Sequence, residues 1–291
     1  MGVLFSLACA LTWGFAVVLL KHSAEKVDPL ALNLYRVVIT TPLLVVTAWA
    51  AGVPLWPQPS TNDLIRLTAS AVLGIVVADT LFHAALHLVG AGITAIVDSL
   101  YSPMTVLFAF ALLGERIGPR DFAGMGLIVS GLLLTGTLHP PANRTRAQLL
   151  EGIGAGLAAI VILALAIVIA KPALDRLPVL WAAAFRQGVS AVVLLAIAVV
   201  SPRRRMLLGV LKPGPTWKVM FPGTLLGSYL SLTLWIAGMK YTLASIAAIL
   251  TQSSTAYILL FSVIFLKEPM TRRKAAAAAL AIAGVALVSV R

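Results

Sequence analysis

The sequence predicts an all-α membrane protein of ten transmembrane helices, arranged as two inverted five-helix repeats. Three observations carry that expectation. Of the 291 residues, 60% are hydrophobic and only 11% are charged, against about 25% charged in soluble proteins. The apolar residues gather in long runs, not in the short alternating segments of a membrane β-barrel. And the two halves of the chain repeat one another in a sustained register.

The runs fall at about 2–20, 31–51, 67–89, 92–113, 119–138, 152–170, 179–200, 219–239, 242–266 and 274–290. A bilayer core is crossed by about 20 helical residues, and lipid offers the backbone no partners, so each run must close its own hydrogen bonds. The first run reads as a retained helix. No basic segment precedes Gly2, and Lys21-His22-Ser23-Ala24-Glu25 lacks a small-residue cleavage pattern. Pro and Gly punctuate the connections at Asp28-Pro29, Pro54 to Pro59, Pro140-Pro141 and Pro213-Gly214-Pro215. Trp49, Trp56, Trp181 and Trp217 fall near the expected membrane surfaces, where an amphipathic ring is stable.

The repeat is read from matched residues. Leu113-Gly114-Glu115 matches Leu266-Lys267-Glu268, Arg120 matches Arg273, and Gly131 matches Gly284, each at an offset of 153 (268 − 115, 273 − 120, 284 − 131). Leu73-Gly74 and Leu226-Gly227 keep the same offset (227 − 74 = 153). Earlier in each half the offset is 150, for Lys21 with Lys171 and Arg36 with Arg186 (186 − 36). The halves are therefore 1–150 and 151–291. Five helices per half is odd, so the second half enters the membrane from the opposite side, with a substrate site expected near the midplane between the halves.

The net charge of +12 sits in short clusters such as Arg203-Arg204-Arg205 and Arg272-Arg273-Lys274. That pattern signals topology and contact with anionic headgroups, so the lipid bilayer is the expected partner and nucleic acid is not. The connections after odd-numbered helices hold 13 Lys/Arg, against 7 in the remaining connections and termini. The charge bias thus places both termini outside. The single Cys9 rules out an intramolecular disulfide and reads as a small buried residue.

These features resemble the drug/metabolite transporter superfamily, in particular its ten-helix EamA-type members. The carrying residues are Leu11-Thr12-Trp13-Gly14, Arg36, Pro103, Leu113-Gly114-Glu115 and Gly131, then Arg186, Leu266-Lys267-Glu268 and Gly284. Leu163 stands where a partner of Trp13 is expected, and Ala256 where one of Pro103 is expected. The resemblance implies secondary transport of small metabolites, often export of amino acids, across the bacterial cytoplasmic membrane. It also implies cytoplasmic termini, against the charge bias.

Asp79, His83 and His87 are spaced four apart and share a face of the third helix. A short connection at Gly90 and Gly92 returns Asp98 to a similar depth. Ionisable groups in a membrane are costly and mark a wet cavity or a hydrogen-bonded brace. Both readings stand for Asp79 and His83, the first with proton coupling. His83 and His87 lack a third ligand, so no metal is expected. Arg36 and Arg186 read either as anchors for a substrate carboxylate or as structural braces. Glu115 and Glu268 read as headgroup-level charges that cap the following helix.

Tyr101-Ser102-Pro103 and Thr251-Gln252-Ser253-Ser254-Thr255 form polar patches at matching places in the fourth and ninth helices. Five consecutive polar residues surround a helix, so some must face protein or water. Tyr101, Gln252 and Ser253 are therefore expected at the cavity wall. Trp13, Tyr229 and Trp235 are expected to stack on substrate or to pack between helices. The cavity is expected between the third, fourth, eighth and ninth helices. No HExxH motif, nucleophile elbow or phosphate-binding glycine loop appears, so neither an enzyme nor an ATP-driven pump is expected and no cofactor is implied. The leading expectation is a secondary exporter of a small-molecule substrate. A membrane-embedded enzyme or a channel or scaffold is the alternative. A monomer suffices for such a site, and an oligomer stays open.

Overall fold

The structure, a computed structural model, describes residues 1–20, 27–135, 145–266 and 271–289. Every regular element among them is helical. The first half holds α1 (Gly2–Leu20), α2 (Pro29–Ala50), α3 (Thr61–Ser70), α4 (Asp79–Asp98), α5 (Tyr101–Leu113) and α6 (Pro119–Thr135). The second holds α7 (Arg146–Arg176), α8 (Val179–Val200), the short α9 (Arg204–Gly209), α10 (Trp217–Thr224), α11 (Leu232–Tyr241), α12 (Ala244–Thr251), α13 (Ser254–Leu266) and α14 (Arg272–Ser289). A π-helical stretch, Ala71–Ala78, joins α3 to α4, and another, Leu225–Ser231, joins α10 to α11. Their ends keep the sequence register (231 − 78 = 153).

Seven stretches among the described residues are long and apolar enough to cross a membrane: Pro29–Ala50, Thr61–Gly90, Ile96–Leu113, Arg146–Arg176, Val179–Val200, Met220–Tyr241 and Ala244–Phe265. The expected tally of ten is not reached on length and composition. α6 has only 17 described residues, and α14 opens on Arg272-Arg273-Lys274. Lys21, Pro140-Pro141, Lys267 and Glu268 lie outside the described residues.

The distribution of side chains inverts that of a soluble bundle. Trp49, Phe110, Val192, Val200, Phe265 and Ile282 are exposed, while α7 buries Ala159, Ala164, Ala166 and Ala170. Small residues let helices approach closely where lipid removes the hydrophobic drive between them. The pairing of α6 with α14 depends on this. A Cβ added at Gly131 would lie 2.7 Å from the Ala277 carbonyl oxygen, and one at Gly284 2.6 Å from the Gly124 oxygen. Elsewhere α2 lies on α8, α1 packs against α10–α13, and α7 packs against α3–α5.

Helix ends follow local chemistry. Asp28 caps α2 by accepting from the Leu30 and Ala31 amides. Ser60 and Asp63 form a capping box on α3. The third and fourth runs fold back at Gly90, whose φ of 75° lies in the left-handed region open to glycine. Both polar patches break their helices at matched points. α4 ends at Asp98 and α12 at Thr251, while α5 begins at Tyr101 and α13 at Ser254 (251 − 98 and 254 − 101 are both 153). The Leu100 amide donates to the Val97 oxygen and the Ser253 amide to the Leu250 oxygen, each at 3.1 Å.

Candidate functional site

A cavity of about 220 Å³ opens where the two helix breaks and the two π-helical stretches meet. Of the residues singled out from sequence, Trp13, Arg36, Asp79, His83, Asp98, Tyr101, Trp235 and Gln252 line it. It also takes residues from α1, α2, α7 and α8, among them Cys9, Leu163 and Gln187, so the expected four-helix wall was too narrow.

One side is a charged cluster centred on α2. Arg36 Nε donates to Ser228 Oγ at 2.6 Å, and Nη1 lies 3.1 Å from His83 Nε2 and 3.5 Å from Asp79 Oδ2. His83 Nδ1 faces the Asp79 carbonyl oxygen. A carbonyl can only accept, so Nδ1 carries the ring proton and the Nε2 lone pair accepts from Arg36. Both ring nitrogens are therefore engaged. A proton arriving at Nε2 would displace Arg36 and face its charge. Ser228 belongs to the second half, so Arg36 ties the halves together.

The π-helical winding has its own support. Asn33 Nδ2 donates to the Ile75 oxygen at 2.6 Å and to Thr80 Oγ1 at 3.0 Å. Ser190 Oγ donates to the Ala71 oxygen at 3.3 Å. In a membrane such carbonyls must find donors within the protein. Asp79 follows this stretch directly.

The opposite side is built at the helix breaks. Gln252 Nε2 donates to the Asp98 backbone oxygen at 2.6 Å, and Ser102 Oγ donates to Gln252 Oε1 at 2.6 Å. The two broken helices are thereby pinned to each other. Trp13, Phe82, Leu163 and Trp235 supply an apolar wall.

Three expected residues lie elsewhere. Tyr229 turns from the cavity, and its hydroxyl shares a 2.6 Å hydrogen bond with Thr47 Oγ1. Ser228, Ser231 and Trp235 define the cavity face of that segment, and Tyr229 sits one residue around from it. Ser253 donates back to the Leu250 oxygen at 2.6 Å within the turn. Arg186 is fully buried behind the wall, its guanidinium carbon 5.7 Å from the centroid of the Trp235 ring. Ser228 and Gln187 were missed, although each is a polar residue within an apolar run, the same signal that marked Gln252.

Glu115 also departs from expectation. It accepts from the Ala244 amide at 2.9 Å, the Ser245 amide at 3.0 Å and Ser245 Oγ at 2.7 Å. It caps α12 of the second half instead of the helix that follows it, because the loop after α5 reaches that N-terminus. A carboxylate suits the positive end of a helix dipole.

The EamA-like transporter family model matches residues 1–137 and 150–290. No curated protein is similar to the chain. Among solved structures, a chain described only as "Crystal structure of protein" is 21% identical. That match covers 99% of this chain and 96% of the other, with a TM-score of 0.79, a likeness of fold alone.

Proposed function

The chain belongs to the EamA-like transporter family, and from that premise we propose that it is a secondary active transporter working by alternating access between two inverted five-helix halves. The reading takes the ten-span topology expected from the sequence, with α1, α6 and α14 as spans beside the seven stretches named above. Its cargo is a small metabolite, amino acids first, exported across a bacterial cytoplasmic membrane. The carrying observation is the central cavity, which draws charged and polar groups from both halves and sits at both helix breaks. Ionisable side chains gathered inside a membrane protein mark a transport path, and broken helices at a repeat interface are a common frame for a substrate site. Cross-packing supports the symmetry. α1 lies on the third and fourth runs of the second half, and α7 lies on those of the first, as exchange about a two-fold axis requires.

The test is counterflow by purified protein in proteoliposomes, with a panel of radiolabelled amino acids and no nucleotide. Saturable counterflow is the expected result. A linear, unsaturable flux would favour a channel, and transport only with added ATP would remove the secondary mechanism.

A further inference from the structure

We propose that a cleft between α2 and α8, separate from the central cavity, is a lipid site that holds one acyl chain of a membrane phospholipid. The site depends on the bilayer and not on any cargo.

The cleft, of about 240 Å³, lies where α2 ends and α8 begins. Thr41, Val45 and Ala48 line it from α2, and Trp181, Ala184, Phe185 and Gly188 line it from α8. Each set lies on one helix face. Val53 to Trp56, in the connection after α2, complete the lining. Both helices are long and apolar enough to cross a membrane, and Val45, 41% exposed, opens the cleft toward lipid.

The repeat shows how the protein fills the matching space itself. At the offset of 150 the counterparts are Ala191, Leu195 and Ala198 on α8, and Ala31, Leu34, Tyr35 and Val38 on α2. There Ala31, Leu34, Ala191 and Ala198 are buried in one apolar cluster, with Val38 and Leu195 packed against it. The cleft has Ala184 in place of Leu34, Gly188 in place of Val38 and Val45 in place of Leu195. Aliphatic volume is therefore missing at three points. A Cβ added at Gly188 would meet, among the described residues, only Thr41 Cγ2 within 4 Å, at 3.7 Å.

The chemistry of the walls selects the occupant. Thr41 Oγ1 donates to the Val37 oxygen at 2.7 Å, and Trp181 Nε1 donates to the Leu55 oxygen at 2.9 Å. The Val53 amide donates to the Ala48 oxygen at 2.9 Å. These donors are spent, so a polar ligand gains nothing from them. The Trp181 ring stacks on Phe185 at 5.1 Å and meets Trp56 edge-on at 5.9 Å, which makes one wall aromatic and stiff. An empty gap forfeits dispersion contacts along such a wall, and a hydrocarbon chain restores them. Lipid tails are as apolar as the wall, so the attraction is packing and not escape from water. Trp56, 59% exposed, suits the headgroup level, where the rest of the lipid stays. Phospholipid is the hydrocarbon that a bilayer brings to this face in bulk.

The experiment photolabels the purified full-length chain in detergent with a phosphatidylcholine that carries a diazirine in one acyl chain. Its headgroup has no net charge, so surface arginines do not drive the binding. Label at residues 41–56 and 181–188 is expected to saturate and to be displaced by unlabelled dioleoylphosphatidylcholine. Label at Val192, Val199 and Val200, exposed further along α8, is expected to rise linearly. Gly188→Leu fills the gap and should lower label in the cleft at least about tenfold, with those three valines labelled as in wild type. Val45→Phe, at an exposed position, carries the same expectation and decides the matter if Gly188→Leu does not fold. Native mass spectrometry identifies the occupant. Wild type should retain one phospholipid, and the filled variants none. Linear label in the cleft, undiminished label in a folded filled variant, or a wild type that retains no lipid overturns the proposal. So does a retained free fatty acid, or a dimer that Gly188→Leu dissociates, which would assign the cleft to a second copy of the chain.

Discussion

Arg36 and Arg186 occupy equivalent places in α2 and α8, yet their surroundings differ. Arg36 meets Asp79, His83 and Ser228. The residues at the positions of Asp79 and His83 in the second half are Leu232 and Ile236 (232 − 79 and 236 − 83 are both 153). Arg186 therefore lacks a counter-charge from those positions of its own half; it lies against Trp235, within electrostatic reach of Asp79 in the first half. The backbone scaffold is shared between the halves, down to the helix breaks and π-helical stretches, but the charges are not. Under the proposed alternating access, matched helices would let the halves exchange shape, while one asymmetric cargo would need one asymmetric set of contacts.

The largest effect expected from this contrast is on stability. Arg36→Ala strips Asp79 of its partner and should cost about 3–5 kcal/mol, as breaking a buried pair does, read as a fall in thermal unfolding temperature in detergent. Arg186→Leu removes a buried guanidinium whose Nε and Nη1 make no hydrogen bond, and should lower the melt less than Arg36→Ala does. A comparable loss in both variants would mean that the two arginines are held alike and that the contrast between the halves does not extend to stability.

Where the halves match, equal effects are expected. Gly131→Leu and Gly284→Leu each force a side chain into the α6–α14 contact, at about 1–3 kcal/mol apiece. Melts that differ by more than the range of one of them would show that this contact is not symmetric. Glu115→Gln weakens the cap on α12 and should cost about 0.5–2 kcal/mol, seen as faster amide exchange at Ala244 and Ser245. The smallest effect is expected from Tyr229→Phe, about 1 kcal/mol for the lost Thr47 bond, with the ranking of transported substrates unchanged. A changed ranking would return Tyr229 to the cavity.

Much of the site was legible because membrane burial makes polarity conspicuous. Asp79, Asp98, Tyr101 and Gln252 stand out in apolar runs, and all four line the cavity. The same signal marked Tyr229 and Ser253, which satisfy themselves with Thr47 and with the Leu250 carbonyl. Polarity says that a group needs a partner, not that the partner is cargo. The facing of Tyr229 was also beyond a simple 3.6-residue wheel, since it lies in a π-helical stretch whose winding the sequence does not announce.

The sequence by itself determined the apolar runs, the register of 150 and then 153, and the polar patches in the fourth and ninth runs. Each follows from local causes: hydrophobic length, residue-by-residue likeness, and polar patches a helix cannot wholly hide. The tertiary structure decided which charges are spent. Arg36 and Ser228 stand 192 residues apart, and Glu115 and Ala244 stand 129 apart. Such pairs exist only once helices from different halves are packed side by side, and their angle and depth fix which donor reaches which acceptor. Nothing in the spacing along the chain carries that information, because a helix period tells which residues share a face and not what that face will meet.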